Sequence, residues 1–279
     1  MLVNLNDVLI PARRGKYAVG LFNTVNLELA RGVMEAAEEL DSPVIIGTAE
    51  VLLPYGPIED LANLLIPMAE RASVPVVVHL DHGLKEETCR QALDLGFSSI
   101  MYDCSTMEYE ANIEHVKRMA ETAHACGASI EAELGHVGDN GGEDPSLFYT
   151  DSAQARDFIE RTGADALAIA VGTAHGAYKL PPKLDFNRIT EIAENIPTPL
   201  VLHGGSGLSD SDFRTAVERG ISKVNIFTDI NQACARASAL GYREGRGLTD
   251  IILPEIEAVK QSVMEKMRLF GSVVRGSER

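Results

Sequence analysis

Short runs of β-branched and aliphatic residues recur along the chain, separated by stretches in which apolar positions return every three or four residues. The runs are YAVGLF (17–22), PVIIGT (43–48), PVVVHL (75–80), SSIMYD (98–103), SIEAEL (129–134), ALAIAV (166–171), PLVLHG (199–204) and SKVNIF (222–227). Several are apolar almost without interruption, as parallel strands covered on both faces are. The intervening segments 27–40, 57–72, 85–96, 110–127, 152–163 and 211–220 have a helical period, and many stop at a glycine. Eight such strands alternating with helices predict an α/β architecture, the (β/α)8 TIM barrel. A doubly wound sheet would show a Gly-rich turn after its first strand, and Leu21-Phe22-Asn23-Thr24 is not one. Segment 251–270 is expected to be an extra C-terminal helix, acting as a barrel cap or a subunit contact. No linker, low-complexity tract or charge block interrupts the pattern, so residues 1–279 are expected to form a single domain.

The 279 residues carry 25 Lys and Arg against 41 Asp and Glu, a net charge of −16, and 45% are hydrophobic. That apolar content suffices for a packed core and excludes wholesale disorder. The charge argues against sequence-independent nucleic-acid binding, which needs Lys and Arg to neutralise phosphates, and against an anionic membrane surface. Cys89, Cys104, Cys126 and Cys234 form no C-x-x-C pair and no zinc-finger spacing, and read as reduced intracellular thiols. The opening MLVNLNDVLIPARRGKY lacks the basic start and apolar stretch of a leader, and no run is long and apolar enough to span a bilayer. A cytoplasmic protein without nucleic-acid or membrane partners is the expectation.

In this architecture the reacting groups sit on loops at the carboxyl ends of the strands. Six consecutive strands carry a His, a carboxylate or an Asn to that rim. The segments are His79-Leu80-Asp81-His82-Gly83, Asp103-Cys104-Ser105, Glu131 and Glu133 with His136 beyond, Gly172-Thr173-Ala174-His175-Gly176, His203-Gly204-Gly205-Ser206-Gly207 and Asn225-Ile226-Phe227-Thr228-Asp229. His115 and His124 fall in a helical pattern and read as solvated, whereas His79, inside its strand, reads as a hydrogen-bonded residue of the barrel interior. His82, His175 and His203 each stand at a strand end. Converging, they leave a fourth position open, the arrangement of a catalytic zinc; otherwise they are independent rim histidines. Asp81, beside one of them, suits proton transfer. Asp103 and Glu133 orient ligand imidazoles, hold a second cation, or are ordinary rim carboxylates. The loops at 204–207 and 225–228 follow the two strands that build the phosphate site common in this fold. Oriented backbone N–H groups there would supply the positive potential that an acidic chain lacks.

Together, HLDHG (79–83), EAELG (131–135), GTAHG (172–176), HGGSG (203–207) and NIFTD (225–229) resemble the class II, metal-dependent ketose-bisphosphate aldolases, which include fructose- and tagatose-bisphosphate aldolases. The likeness runs from about Val19 to Gly271. It implies one catalytic zinc ion per subunit held by His82, His175 and His203, with Asp81 as the acid that protonates the aldehyde oxygen. It also implies that Gly176, Gly204, Gly205, Ser206, Asn225, Ile226, Phe227 and Thr228 hold dihydroxyacetone phosphate. Asp103 and Glu133 match positions near a secondary cation site, and a monovalent ion, Na+ or K+, is expected near the phosphate. Segment 137–150 resembles the family's mobile loop, with Glu143 as the base that removes the C3 proton. The implied reaction is reversible cleavage of a ketose 1-phosphate or 1,6-bisphosphate to dihydroxyacetone phosphate and an aldehyde. The implied setting is carbohydrate metabolism such as glycolysis, and the implied assembly a homodimer or homotetramer.

Two departures bear on the substrate. Bisphosphate-cleaving members carry an Asp-Pro-Arg segment after the eighth helix, whose Arg meets the second phosphate; here Gly241-Tyr242-Arg243-Glu244-Gly245-Arg246-Gly247-Leu248 lacks it. The loop at 48–56 also differs from the family's Ser- and Gly-rich version, and no Lys or Arg occurs between Arg118 and Arg156. The missing guanidinium favours an aldehyde without phosphate, such as a sugar-acid derivative, unless Arg243, Arg246 or a partner subunit supplies the cation. Rival chemistries fit less well. A Schiff-base aldolase needs a rim lysine, and Lys16 and Lys223 stand at strand beginnings, on the far face. A zinc hydrolase would normally show H-x-H on one strand, and a non-catalytic phosphate-binding barrel has no need of three rim histidines and Asp81.

Overall fold

The computed structural model describes residues 1–137, 149–174 and 183–273. All eight predicted strands form, as β1 (Val19–Asn23), β2 (Val44–Ala49), β3 (Val76–Gly83), β4 (Ser99–Tyr102), β5 (Ser129–Leu134), β6 (Ala166–Ile169), β7 (Leu200–Leu202) and β8 (Ile221–Ile226). Each pairs in parallel with its neighbours in the chain, and β8 returns to β1, closing the sheet into the expected (β/α)8 barrel.

Register decides which side chains meet. Leu21 lies beside Ile45, Ile45 beside Val77, and Val19 beside Lys223. Side chains alternate across a strand, so registered neighbours share a face. Val19, Leu21, Ile45, Val77, Ala166, Ala168 and Val201 accordingly form an interior core. The alternate positions, among them Phe22, Ile46, Val78, Ile100, Leu167, Leu202 and Val224, belong to the larger core between sheet and helices.

The six predicted intervening helices are α2 (Leu27–Leu40), α3 (Ile58–Arg71), α4 (Glu86–Asp94), α5 (Tyr109–Ala125), α6 (Ser152–Thr162) and α8 (Asp210–Arg219). Three of these starts, those of α2, α6 and α8, are capped by side chains. The Asn26 oxygen accepts from the Leu29 N–H, Asp151 accepts from Gln154, and Ser209 with Asp212 builds a capping box. Residues 5–15, read above only for a leader, form α1 (Leu5–Gly15) despite Pro11. Its Leu5, Val8, Leu9 and Ala12 close the interior core at the amino ends of the strands. Two further helices, α7 (Phe186–Asn195) and α9 (Thr228–Gly241), escaped the periodicity because each buries so little: Ile189 and Ile192 in one, Ile230 in the other. The C-terminal helix α10 (Thr249–Phe270) joins the outer ring, packing on α2, α9, α8 and β1 through residues that include Val259, Val263, Met267 and Phe270.

Gly47 marks how tightly the sheet is built: a Cβ there would sit 1.9 Å from the carbonyl oxygen of His79. Gly47→Ala is expected to lower the unfolding free energy by more than about 4 kcal/mol, or to leave no folded protein. Gly127→Ala, at φ 74° with nothing within 4 Å of the new carbon, should cost only left-handed strain, about 1–2 kcal/mol. Denaturant titration of both variants checks this, and equal losses would contradict it.

Candidate active site

Toward the carboxyl ends of the strands the inward positions turn polar. They read Asn23 on β1, Asp81 on β3, Glu133 on β5 and Asn225 on β8, with His203 just past β7; His79, Glu131 and Lys223 lie lower on the same inward faces, and Ser99 and Ser129 begin β4 and β5. His82 breaks the alternation. Following Asp81, it should face the helices, but its backbone adopts φ 42° and the β3–β4 register shifts between Leu80 and Gly83. The irregularity turns the ring over the barrel mouth, where Nδ1–H donates to Asp103 Oδ2 at 2.8 Å. The His82 and His203 rings meet edge to face, 4.5 Å apart. A left-handed non-glycine residue costs on the order of 1 kcal/mol, and such strain gathers at functional sites.

His203 is fully buried between two carboxylates. Its Nε2–H donates to Glu131 Oε1 at 2.8 Å, and its Nδ1 lies 3.3 Å from Glu133 Oε2. Burial pushes its pKa down, but the two glutamates outweigh burial and raise it to about 10. His82 is raised in the same way, with Asp81 and the Asp103 hydrogen bond overcoming burial. For Glu131, burial is outweighed by Lys223 and His203, which hold its carboxyl near 2. Glu133 lies well below the usual range too, its burial overcome by hydrogen bonds from His136 and His203.

Asp81 is clamped at both oxygens. Asn23 Nδ2 donates to Oδ2 at 2.7 Å and Asn225 Nδ2 donates to Oδ1 at 2.9 Å. Burial alone would raise its pKa; His82, Lys223 and His203 reverse the sign and keep it ionised. Lys223 corrects an expectation. It stands near the start of β8, yet it occupies an inward register position, and its long side chain climbs the interior. Nζ reaches 2.7 Å from Glu131 Oε2 and 2.8 Å from Asn225 Oδ1. Ion-paired and fully buried, it does not line the cavity above it.

That cavity holds about 500 Å³. Asp81, His82 and Asp103 line it beside Gly204, Gly205, Ser206, Asn225, Ile226, Phe227 and Thr228, so the two loops expected to take a phosphate face the histidine cluster. Gly204 sits at φ 65°, and a Cβ there would meet the Ala174 carbonyl oxygen at 2.3 Å. Ala49, Val51, Leu52, Leu84 and Val137 form an apolar wall. His136 lines the cavity as well, its Nδ1 3.1 Å from Ser105 Oγ. His79 lies below, its Nδ1 2.8 Å from Ser99 Oγ, and burial with repulsion from Lys223 lowers it to about 3. His124 pairs with Asp165, and His115 lies beside Arg118 on α5; neither lines the cavity. His175, Gly176 and Glu143 fall outside the described residues.

The donor set fits a divalent metal. Atoms of Asp81, His82 and His203 lie within 4.8 Å of one another, as do those of His82, Asp103 and Glu133. Imidazoles whose tautomers are fixed by carboxylates are the ligands such ions take. The carboxylates of Asp81, Asp103, Glu131 and Glu133 surround the two rings, and Lys223 offsets one of these charges.

A family model described as class-II fructose-bisphosphate aldolase matches residues 3–275. The chain belongs to that family. A fructose-bisphosphate aldolase of Geobacillus stearothermophilus is 41% identical over 281 residues, covering 97% of each chain. YdjI of Escherichia coli K12, described as an uncharacterized protein, is 40% identical over 259 residues, 92% of each. The crystal structure of the YdjI aldolase matches with a TM-score of 0.90 at 37% identity, covering 98% of each chain. The protein is a class II aldolase, a carbon–carbon lyase, which sets aside the hydrolase and binding-barrel rivals.

Two polar residues of this aldolase site were missed in the sequence. Asn23 ends β1, and the rim rule applied to strands three to eight would have found it on the first. Lys223 needed the register, which sets it beside inward Val19 and Val201. Asn23→Ala, which leaves Asp81 with one of its amide donors, is expected to cost about 1–3 kcal/mol in denaturant titration. Asn23→Asp, which sets a carboxylate against Asp81, should cost more; two unchanged variants would contradict the clamp.

Proposed function

We propose that this class II aldolase reversibly cleaves a ketose 1-phosphate or 1,6-bisphosphate to dihydroxyacetone phosphate and an aldehyde. Fructose and tagatose bisphosphates are the leading substrates by family frequency. One observation carries the reading: Asp81 and His82 line the same cavity as the loops at 204–206 and 225–228, and buried His203 lies within 4.8 Å of both.

His82 and His203 hold one zinc ion per subunit in this reading, with His175 assigned as the third ligand on its motif. Zinc supplies Lewis-acid stabilisation of the negative charge that develops on substrate oxygens. Asp103 fixes the His82 tautomer, and Glu131 and Glu133 orient His203. Backbone N–H groups of Gly204, Gly205 and Ser206 and of Asn225, Ile226, Phe227 and Thr228, with Gly176 added by its motif, take the phosphate end of dihydroxyacetone phosphate. Ionised Asp81 accepts the ketose hydroxyl proton as the carbon–carbon bond breaks and returns it to the aldehyde oxygen in condensation. Glu143 moves the C3 proton, and Na+ or K+ beside the phosphate completes the ions.

A second reading has the same mechanism with an unphosphorylated aldehyde, such as a sugar-acid derivative. The cavity wall favours it: among the described residues that line the cavity none is Lys or Arg. A second phosphate would lack a bidentate guanidinium partner there. A single domain over 1–279, a homodimeric or homotetrameric assembly and a cytoplasmic setting without nucleic-acid or membrane partners complete the proposal. The unbroken strand–helix pattern and the net charge of −16 support it.

His203→Ala is expected to lose bound zinc and cleavage together, measured by metal analysis and a coupled assay. Asp81→Ala should keep zinc and still exchange the C3 proton of dihydroxyacetone phosphate, while cleavage falls about 10²–10⁴-fold. Wild-type cleavage in that variant would remove Asp81 from the reaction. Condensation kinetics over a panel of aldehydes separates the two substrate readings, the first expecting the higher kcat/KM with a phosphorylated acceptor and the second with an unphosphorylated one.

A further inference from the structure

Lys223 has no part in the chemistry above, yet its ammonium stands at a fork. One branch is the ion pair with Glu131, whose other oxygen accepts from His203. The second is the hydrogen bond to Asn225 Oδ1, and the Nδ2 of that same amide donates to Asp81. We propose that Lys223 is a positioning residue: by donating to Asn225 it sets the direction of that amide, and through it the orientation of the Asp81 carboxylate. The inference rests on the reading of Asp81 as the proton-transfer group.

The direction follows from what each group can do. An ammonium only donates and a carboxylate only accepts, whereas a carboxamide does one at each end. With Lys223 on one side and Asp81 on the other, one orientation satisfies both neighbours. The reversed amide would set its NH2 against the ammonium and its oxygen against the carboxylate, creating two repulsions and leaving buried polar groups unpaired. Asn23 holds the other Asp81 oxygen, so the carboxylate is gripped from two sides and the Asn225 grip is anchored by Lys223. Glu131 supplies the charge compensation that a fully buried ammonium requires. The bond to Asn225 is additional to that pairing.

Lys223→Met removes the donor and keeps the length of the side chain, but it leaves Glu131 without its counter-charge. The double variant Lys223→Met with Glu131→Gln removes both charges together and preserves an acceptor for His203, so it guards against simple misfolding. In each folded variant, cleavage is expected to fall about 10²-fold, the lower end of what a proton-transfer group contributes. C3 proton exchange at saturating dihydroxyacetone phosphate should fall far less than cleavage in the same variant, and Glu131→Gln alone, which keeps the Lys223–Asn225 bond, is the reference for the zinc content and melting behaviour of the double variant. Equal losses in exchange and cleavage, or no loss in either, would overturn the proposal. Asp81→Ala run beside them separates the two claims. If it loses cleavage while the Lys223 variants keep theirs, the Asp81 reading stands and the Lys223 inference fails; if it cleaves normally, both fail. Neutron diffraction from the wild-type protein gives an answer without any variant: deuterons on the Asn225 amide should point at Asp81, and the opposite orientation would refute the inference.

Discussion

Side chains in a closed parallel sheet cannot choose their face independently. Their two-residue period and the register of eight paired strands decide jointly which residues enter the barrel. The inward positions begin as Val19, Leu21, Ile45 and Val77 over the plug of α1 and end as Asn23, Asp81, Glu133 and Asn225 at the mouth. A one-residue slip in β5 would send Glu131 and Glu133 into the helical layer and leave His203 without either partner. The site is therefore as well defined as the register that carries it, and the tight approach of Gly47 to the His79 backbone is part of what holds that register.

Much of this was legible in the residues. Eight apolar runs of strand length, glycine stops and turn signals predict the barrel without further help, because the hydrophobic pattern and the local chemistry agree. The rim rule brings Asp81, His82, Asp103, Glu133, His203 and the two loops to one end, and they do line or adjoin one cavity. What stayed hidden has a common physical cause. Lys223 stands low on its strand, but its reach is that of a long side chain on an inward position, so the position of its Cα misleads about the place of its charge. Asn23 looks like an ordinary strand end until Asp81 is seen to need a donor. The turn of His82 depends on a register shift and a left-handed backbone that no hydrophobic period encodes. α1 was hidden by Pro11, and α7 and α9 by the few apolar residues they bury.

Charge gives the site its second level of organisation. A barrel interior is a poor place for an isolated ion, and here the buried charges come in contact pairs: Lys223 with Glu131, His203 with both glutamates, and His82 with Asp103. Each pairing also has a directional consequence, since it fixes a tautomer or an amide. Ala49, Val51, Leu52, Leu84 and Val137 line the same cavity and bring no charge to it.

The most direct test is anomalous diffraction at the zinc absorption edge from crystals of the wild-type protein grown with zinc. A single strong peak is expected at the barrel mouth, about 2.0–2.1 Å from an imidazole nitrogen of each of His82 and His203 and within the same distance of His175. A peak held by other residues, or these imidazoles lying beyond coordination distance of the ion, would contradict the central claim.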